Sequence, residues 1–146
     1  MRKIERSAIV PFVPETMFDL VADVARYPEF LPGCTATRVH AASAGLASAT
    51  MWLARGPLKL ELRTRNTMIR PELLTMDLEQ GPFSTLSGRW AFMPLGAAGT
   101  KVSLQLEFAF ANRLADAMLG PILESLAGDL VAAFARRAHA LQASTD

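Results

Sequence analysis

The sequence is poor in the residue types that build most catalytic and metal centres. Its 146 residues include one cysteine, one tyrosine and two histidines. Cys34 has no second cysteine to pair with in the chain, which is typical of a protein kept in a reducing compartment. His40 and His139 lie far apart, and no group of His, Cys, Asp or Glu has the spacing of metal ligands. These absences predict neither a metal site nor a bound cofactor.

Charge of one sign is also lacking. The chain has 15 basic and 14 acidic residues, a net charge of +1, which gives no electrostatic case for DNA binding. The N-terminus alternates charged and apolar residues, and no apolar run approaches the ~18 residues that span a bilayer. We therefore expect one domain, residues 1–146, that is cytoplasmic or lies peripherally at the inner face of the membrane.

Residues 112–142 have the pattern of one long amphipathic helix. Apolar residues recur there at alternating spacings of three and four, which indicates one buried face. Asn112 suits the N-cap position because its side-chain oxygen can accept a free first-turn N–H. Gly120-Pro121 predicts a kink or a short break, since proline has no N–H to donate.

Residues 35–110 alternate polar and apolar side chains almost throughout, as antiparallel strands with one buried face do. A strand at residues 4–10, a helix at 14–24 and a short helical turn at 25–32 precede them. The predicted fold is α+β, with a seven-stranded antiparallel curved sheet around the C-terminal helix and two short helices after the first strand. Pattern alone leaves open whether the space between sheet and helix is packed or forms a pocket.

No nucleophile motif, zinc-protease motif or Gly-rich phosphate loop is present. Cys34 can be read as a reactive thiol or as a small buried residue. A basic row on one predicted strand face could contact lipid or RNA phosphate, although Glu61 interrupts it. The row consists of Arg55, Lys59, Arg63 and Arg65.

Methionines and two tryptophans fall on elements that would meet at the sheet–helix junction. Methionine adapts its shape, and such a lining suits a greasy ligand. A packed core would use the same residues, so both interpretations stand at this point.

The segment ERSAIVPFVPETMFDLVADVARYPEFLPGC, residues 5–34, resembles the coenzyme Q-binding START-domain family of the SRPBCC, or polyketide cyclase-like, superfamily. Further matching blocks are Gly81-Pro82-Phe83, residues 86–95 and residues 108–112. At Gly33 the chain resembles the RatA-like branch of ribosome-association toxins, which has glycine at this position, whereas the mitochondrial members of the family tend to have tryptophan. The resemblance covers nearly the whole chain.

The resemblance implies a helix-grip (START/Bet v1-like) fold and non-catalytic binding of an isoprenoid lipid, most simply ubiquinone, in support of respiration. The alternative is a toxin that binds the large ribosomal subunit and blocks subunit association, with the basic row as its contact surface. An enzyme would need polar groups directed into the pocket. The predicted pocket residues are Tyr27, Phe30, Leu31, Pro32, Trp52, Leu60, Leu62, Met76, Leu78, Trp90, Phe92, Met118, Ile122 and Leu126.

Overall fold

The computed structural model describes residues 1–145, and Asp146, the last residue of the predicted domain, lies outside them. Two α-helices, a short 3-10 helix (Val24–Glu29) and seven strands follow the predicted order. The strands are β1 Arg2–Val10, β2 Cys34–Ser43, β3 Leu46–Arg55, β4 Leu58–Ile69, β5 Leu73–Gln80, β6 Phe83–Pro94 and β7 Thr100–Phe110. The helices are α1 Pro14–Ala22 and α2 Arg113–Thr145, and a single 3-10 turn, Gly96–Ala98, joins β6 to β7.

The strands form one antiparallel sheet in the order β1-β7-β6-β5-β4-β3-β2. Each strand after β2 pairs with its predecessor in the chain, while β1 pairs with β7. Bulges interrupt the pairing of β2 with β3 and of β4 with β5, and bulges bend a sheet locally. The predicted curved sheet around a C-terminal helix is confirmed.

α2 begins as the sequence predicts. The Asn112 side-chain oxygen accepts hydrogen bonds from the backbone N–H groups of Leu114 and Ala115, at 2.8 and 3.2 Å. Of the kink or short break predicted at Gly120-Pro121, the break is wrong, because the helix is continuous across it. Arg2 bridges this region from β1.

The Arg2 guanidinium lies 3.2 Å from the Glu124 carboxylate and 3.3 Å from that of Asp116. It also donates a hydrogen bond to the Asp116 backbone carbonyl at 3.0 Å. These contacts fall on both sides of Pro121 and hold the two halves of the helix to one strand. These contacts offset part of the cost of the N–H that proline lacks inside the helix.

By length and composition, the segment Arg113–Gln142 of α2 could cross a membrane. One side of the helix is nevertheless part of the core, where Leu126 and Phe134 are almost fully buried. A core helix passes the same length and composition test, so this finding is weak evidence for a membrane span.

Candidate functional site

An apolar cavity of about 80 Å³ lies between the inner face of the sheet and α2. Its walls come from the 3-10 helix, from β3 to β7 and from the middle of α2. The lining residues are Val24, Tyr27, Leu31, Ala49, Met51, Leu53, Leu62, Thr64, Asn66, Leu74, Met76, Leu86, Trp90, Leu104, Leu106, Leu123, Ala127, Leu130 and Phe134. The cavity is smaller than the ~150 Å³ that holds benzene in an engineered protein, so a larger ligand requires α2 or flexible side chains to move.

Short and flexible side chains form part of the cavity wall. Gly88 lies on the inner face of β6, opposite Met76 of β5. A Cβ at Gly88 would lie 2.5 Å from the Met76 Cε atom, so the methionine occupies the place of the missing side chain. On α2 the lining includes Ala127, whose short side chain leaves room where a larger residue would fill the gap. Met51 and Met76 are the flexible members of the wall.

An aromatic cluster closes one end of the cavity. The Phe134 ring packs edge-to-face against Tyr27, Phe30 and Trp90, with centroids 5.2–5.4 Å apart. The Tyr27 hydroxyl donates a hydrogen bond to the Val21 carbonyl, so the polar end of this side chain is already paired within the protein. Burial raises the pKa of Tyr27 well above its ordinary value, and the phenol stays neutral at physiological pH.

Two polar side chains interrupt the apolar wall. Thr64 and Asn66 follow Leu62 at a period of two along β4, so all three point to the inner face. The Thr64 hydroxyl donates a 2.8 Å hydrogen bond to the Asn66 side-chain oxygen. Both residues are buried, at 8% and 5% exposure. They are the lining side chains whose hydrogen-bonding groups can meet a ligand.

The structure brings together five of the fourteen predicted pocket residues at the cavity. Tyr27, Leu31, Leu62, Met76 and Trp90 line it. Several others belong to the core or its margin without facing the cavity, namely Phe30, Leu60, Leu78, Phe92, Ile122 and Leu126. Pro32 is partly buried beside them. Ile122 instead borders a separate shallow hollow with Pro121 and Arg55.

Two of the predicted pocket positions are wrong. Trp52 pairs with Glu61 and Ala36 on the outer face of the sheet, because the register places its neighbours Met51 and Leu53 inside. Met118 is 59% exposed because it lies on the side of α2 turned away from the core. The inward residues that sequence reasoning missed include Thr64 and Asn66, although extending the Leu58-Leu60-Leu62 alternation by two more steps would have found them.

The predicted basic row is divided between the two faces of the sheet: Lys59, Arg63 and Arg65 lie on the outer face of β4, whereas Arg55 of β3 is paired with the buried Leu58 on the side of α2. Arg55 forms a 2.7 Å ion pair with Asp129 of α2. Arg63 donates a 3.2 Å hydrogen bond to Ser48, and its Nε lies 4.0 Å from the Glu79 carboxylate. Lys59 and Arg65 are exposed and, in the described part of the chain, make no ion pair. The row therefore offers two open cations and one partly engaged arginine.

The register adds residues to this outer surface. Arg38 of β2 lies opposite Thr50 of β3, which lies opposite Arg63. Trp52, half-buried, is the next outward residue along β3. We call this surface, made of Arg38, Trp52, Lys59, Arg63 and Arg65, the outer patch. An aromatic ring among cations can stack on a nucleic-acid base while the cations contact phosphate.

Cys34 is buried, and burial raises the pKa of its thiol, which favours the reading as a small core residue over a reactive nucleophile. His40 contacts the Thr50 hydroxyl at 2.7 Å, and His139 packs against the Phe12 ring. Across residues 1–145, no three His, Cys, Asp or Glu side chains gather as metal ligands would.

Comparisons with known proteins agree with this architecture. Residues 10–135 match the family model described as polyketide cyclase / dehydrase and lipid transport. A curated relative, ribosome association toxin RatA of Pseudomonas aeruginosa, is 43% identical over 94% of this chain and 96% of its own length.

Solved structures share the fold. Protein CC1736 from Caulobacter crescentus is 32% identical, with a TM-score of 0.79 over 98% of this chain and 99% of that one. The Zhui aromatase/cyclase from Streptomyces sp. R1128 superimposes with a TM-score of 0.85 over 94% and 93% of the two chains. At 18% identity, the latter supports the fold alone. The chain therefore belongs to the polyketide cyclase/dehydrase and lipid-transport family, within the branch that contains proteins named ribosome association toxin RatA.

Proposed function

We propose that this protein binds the large ribosomal subunit and interferes with subunit association. The observation that carries the proposal is the 43% identity, over almost the full length of both chains, to a protein named ribosome association toxin RatA. Ribosome binding thus takes first place here, whereas the family resemblance placed lipid binding first and ribosome binding as its alternative. Ribosome binding would place the protein in the cytoplasm.

The outer patch is the surface that suits ribosomal RNA. Lys59 and Arg65 make no ion pair within the described residues, and Trp52 lies between the strands that carry Arg38 and Arg63. Glu61 opposite Trp52 and Asp77 opposite Arg65 add negative charge to the same face, so the phosphate contacts would be confined to the cations at its margin. Each phosphate contact releases counterions, so affinity falls as salt rises. The near-neutral net charge limits the contact to a small number of phosphates.

The test is sedimentation of the purified protein with large subunits in sucrose gradients at several salt concentrations. The double variant Arg63→Glu/Arg65→Glu should lose most of the co-sedimentation, and the salt slope of any residual binding should fall by about one unit for each lost phosphate contact. The matched control, Lys3→Glu/Lys101→Glu, changes the total charge equally at the far edge of the same sheet. Equal losses in both variants would remove the outer patch from the proposal.

The cavity supports a second function, binding of a hydrophobic ligand without catalysis. Its wall is aliphatic and aromatic apart from Thr64 and Asn66, as ligand pockets commonly are. An isoprenoid quinone such as ubiquinone, as carrier or chaperone in respiration, is the ligand that the family resemblance implies. A transient visit to a membrane would supply such a lipid.

Organic extraction of the purified protein, followed by mass spectrometry and quinone absorbance, tests this second function. The variant Ala127→Leu should reduce bound lipid because three added carbons project into a cavity of only about 80 Å³. Its control is Ala132→Leu, one turn further along α2 on the exposed side. Protein that carries no lipid, or an Ala127→Leu variant that carries as much as the control, would contradict the proposal.

A further inference from the structure

The Asn66 side chain is buried with half of its hydrogen-bonding capacity unused. Its oxygen accepts the Thr64 hydroxyl, but its Nδ2 group, which carries two N–H donors, has no hydrogen-bond partner among the described residues. The residue is 5% exposed and lines the cavity. Among the described residues, the fully enclosed side-chain polar atom without a partner is Arg2 Nε, so Asn66 Nδ2 is not shut into the packing but is open to the cavity that the residue lines. An amide that opens into an apolar cavity without a protein partner can donate to a ligand.

The neighbours of Asn66 in the sheet cannot satisfy the amide. On β3 it lies opposite Ala47, and on β5 it lies opposite Met76. Neither side chain is a strong acceptor, and the next residue across, Gly88, has no side chain. The amide therefore lies beside Met76, whose Cε fills the place of a Gly88 side chain, and these cross-strand neighbours offer it no strong acceptor.

The Thr64 hydroxyl pairs with one end of the amide. It donates to the Asn66 oxygen, and Nδ2 is then the end of the amide without a hydrogen-bond partner in the described residues. A strand interior also disfavours asparagine intrinsically, so local propensity does not account for the residue. A leucine, which has the same number of side-chain heavy atoms and the same branching, would continue the apolar series of Leu58, Leu60 and Leu62 and remove the unpaired donors.

We propose that Asn66 is the polar anchor of the cavity and selects apolar ligands that carry a hydrogen-bond acceptor, a carbonyl or ether oxygen, over hydrocarbons of the same shape. The inference rests on the second proposal above, that the cavity binds a hydrophobic ligand. It adds the residue that recognises the ligand's polar group. Thr64 is a positioning residue, because it acts through Asn66.

Two probes of nearly equal shape test the selection. Acetophenone has a carbonyl oxygen where α-methylstyrene has a CH₂ group, so the pair differs in the acceptor. Both probes are larger than benzene, so binding of either requires the flexible Met51 and Met76 side chains or α2 to move. We expect the wild-type protein to bind acetophenone about tenfold more tightly, the effect of one hydrogen bond to an otherwise unpaired group. In ¹H–¹⁵N NMR spectra, acetophenone should shift the Asn66 side-chain amide protons downfield, whereas α-methylstyrene should not.

The variant Asn66→Leu should abolish the preference while still binding α-methylstyrene. Thr64→Val should weaken it, because the amide is then free to rotate. The control Met76→Leu alters the same wall without a hydrogen-bonding group and should keep the ratio between the probes. The NMR measurement on wild-type protein tests the inference even where a variant does not fold.

The outcomes distinguish the role of Asn66 from the binding of a ligand by the cavity. Equal affinities for both probes, or an unchanged preference in Asn66→Leu, would refute the role of Asn66 while leaving the cavity as a ligand site. Binding of neither probe would refute the ligand site and the anchor together, and would not touch the ribosome proposal, which is measured by sedimentation.

Discussion

Two leucines one turn apart on α2 test whether the cavity is a real gap in the packing. Leu126 is fully buried, and its Cδ1 atom would lie 3.3 Å from a Cβ placed on Gly33, so it is enclosed by the loop before β2. Leu123 is 5% exposed but faces the cavity. Truncation to alanine removes the same atoms at both sites. The surroundings differ, and so should the loss of stability.

The expected magnitudes follow from burial and packing. Three carbon groups, at about 0.8 kcal/mol each, contribute about 2.4 kcal/mol by transfer from water. At Leu126 a new closed void should add about 1–2 kcal/mol, for a total of about 3.5–4.5 kcal/mol. At Leu123 the side chain has a gap on one side already and has fewer contacts to lose. We expect about 2–2.5 kcal/mol there.

Urea unfolding followed by tryptophan fluorescence measures both variants, provided that the m-value stays constant. The buried Trp90 reports on the core beside α2. A loss for Leu123→Ala that equals or exceeds the loss for Leu126→Ala would refute the reasoning, because it would mean that Leu123 is packed as tightly as Leu126 and that the cavity is filled in solution.

Two further predictions concern the charged contacts around the helices. Exchange of glycine for alanine inside a helix is expected to raise stability by about 1 kcal/mol through helix propensity. Gly120→Ala should not show this gain, because the new Cβ would lie 1.9 Å from Arg2 Nε. Thermal unfolding should reveal the gain only when the exchange is made in an Arg2→Ala background. The Arg70 hydrogen bond lowers the pKa of Asp19 below its ordinary value of 3.8, so this pair's contribution is complete above that value and is lost as pH falls through the lowered pKa. The difference in free energy of unfolding between wild type and Asp19→Asn should therefore vanish in strong acid. At neutral pH it should be under about 1 kcal/mol, because both side chains of the pair are more than half exposed. A difference that stays unchanged at low pH would contradict this assignment of the stabilisation to the Asp19–Arg70 pair.

Periodicity was sufficient for the fold. The alternation of residues 35–110 predicts one dry and one wet face whatever the register, and a long apolar stripe on α2 requires a sheet to cover it. Asn112 was predictable as a cap because the side-chain oxygen bonds locally, within three residues. The continuity of α2 through Pro121 was not, since the contacts that hold its two halves come from Arg2, more than a hundred residues away in the sequence.

The cavity was less predictable, because side-chain direction depends on register. Met51, Trp52 and Leu53 are all apolar, so period two does not decide which of them faces inward, and the cross-strand pairing with β4 places Trp52 outside. Residues such as Leu60 and Leu126 were assigned correctly to the buried side, but a sequence does not show where packing is incomplete. That depends on which small residues, such as Gly88, meet across the sheet.

Strand β4 carries both proposed functions on its two faces. Thr64 and Asn66 point into the cavity, while Arg63 and Arg65 point out from alternate positions of the same strand. Side chains on opposite faces share no direct contact, and independent sites usually add within about 0.5 kcal/mol. Asn66→Leu should therefore leave ribosome sedimentation unchanged, and Arg63→Glu/Arg65→Glu should leave the preference for acetophenone unchanged. If either variant alters both measurements, ligand occupancy and ribosome binding are coupled through the backbone of β4, and the cavity would act as a control site for the outer patch rather than as a separate function.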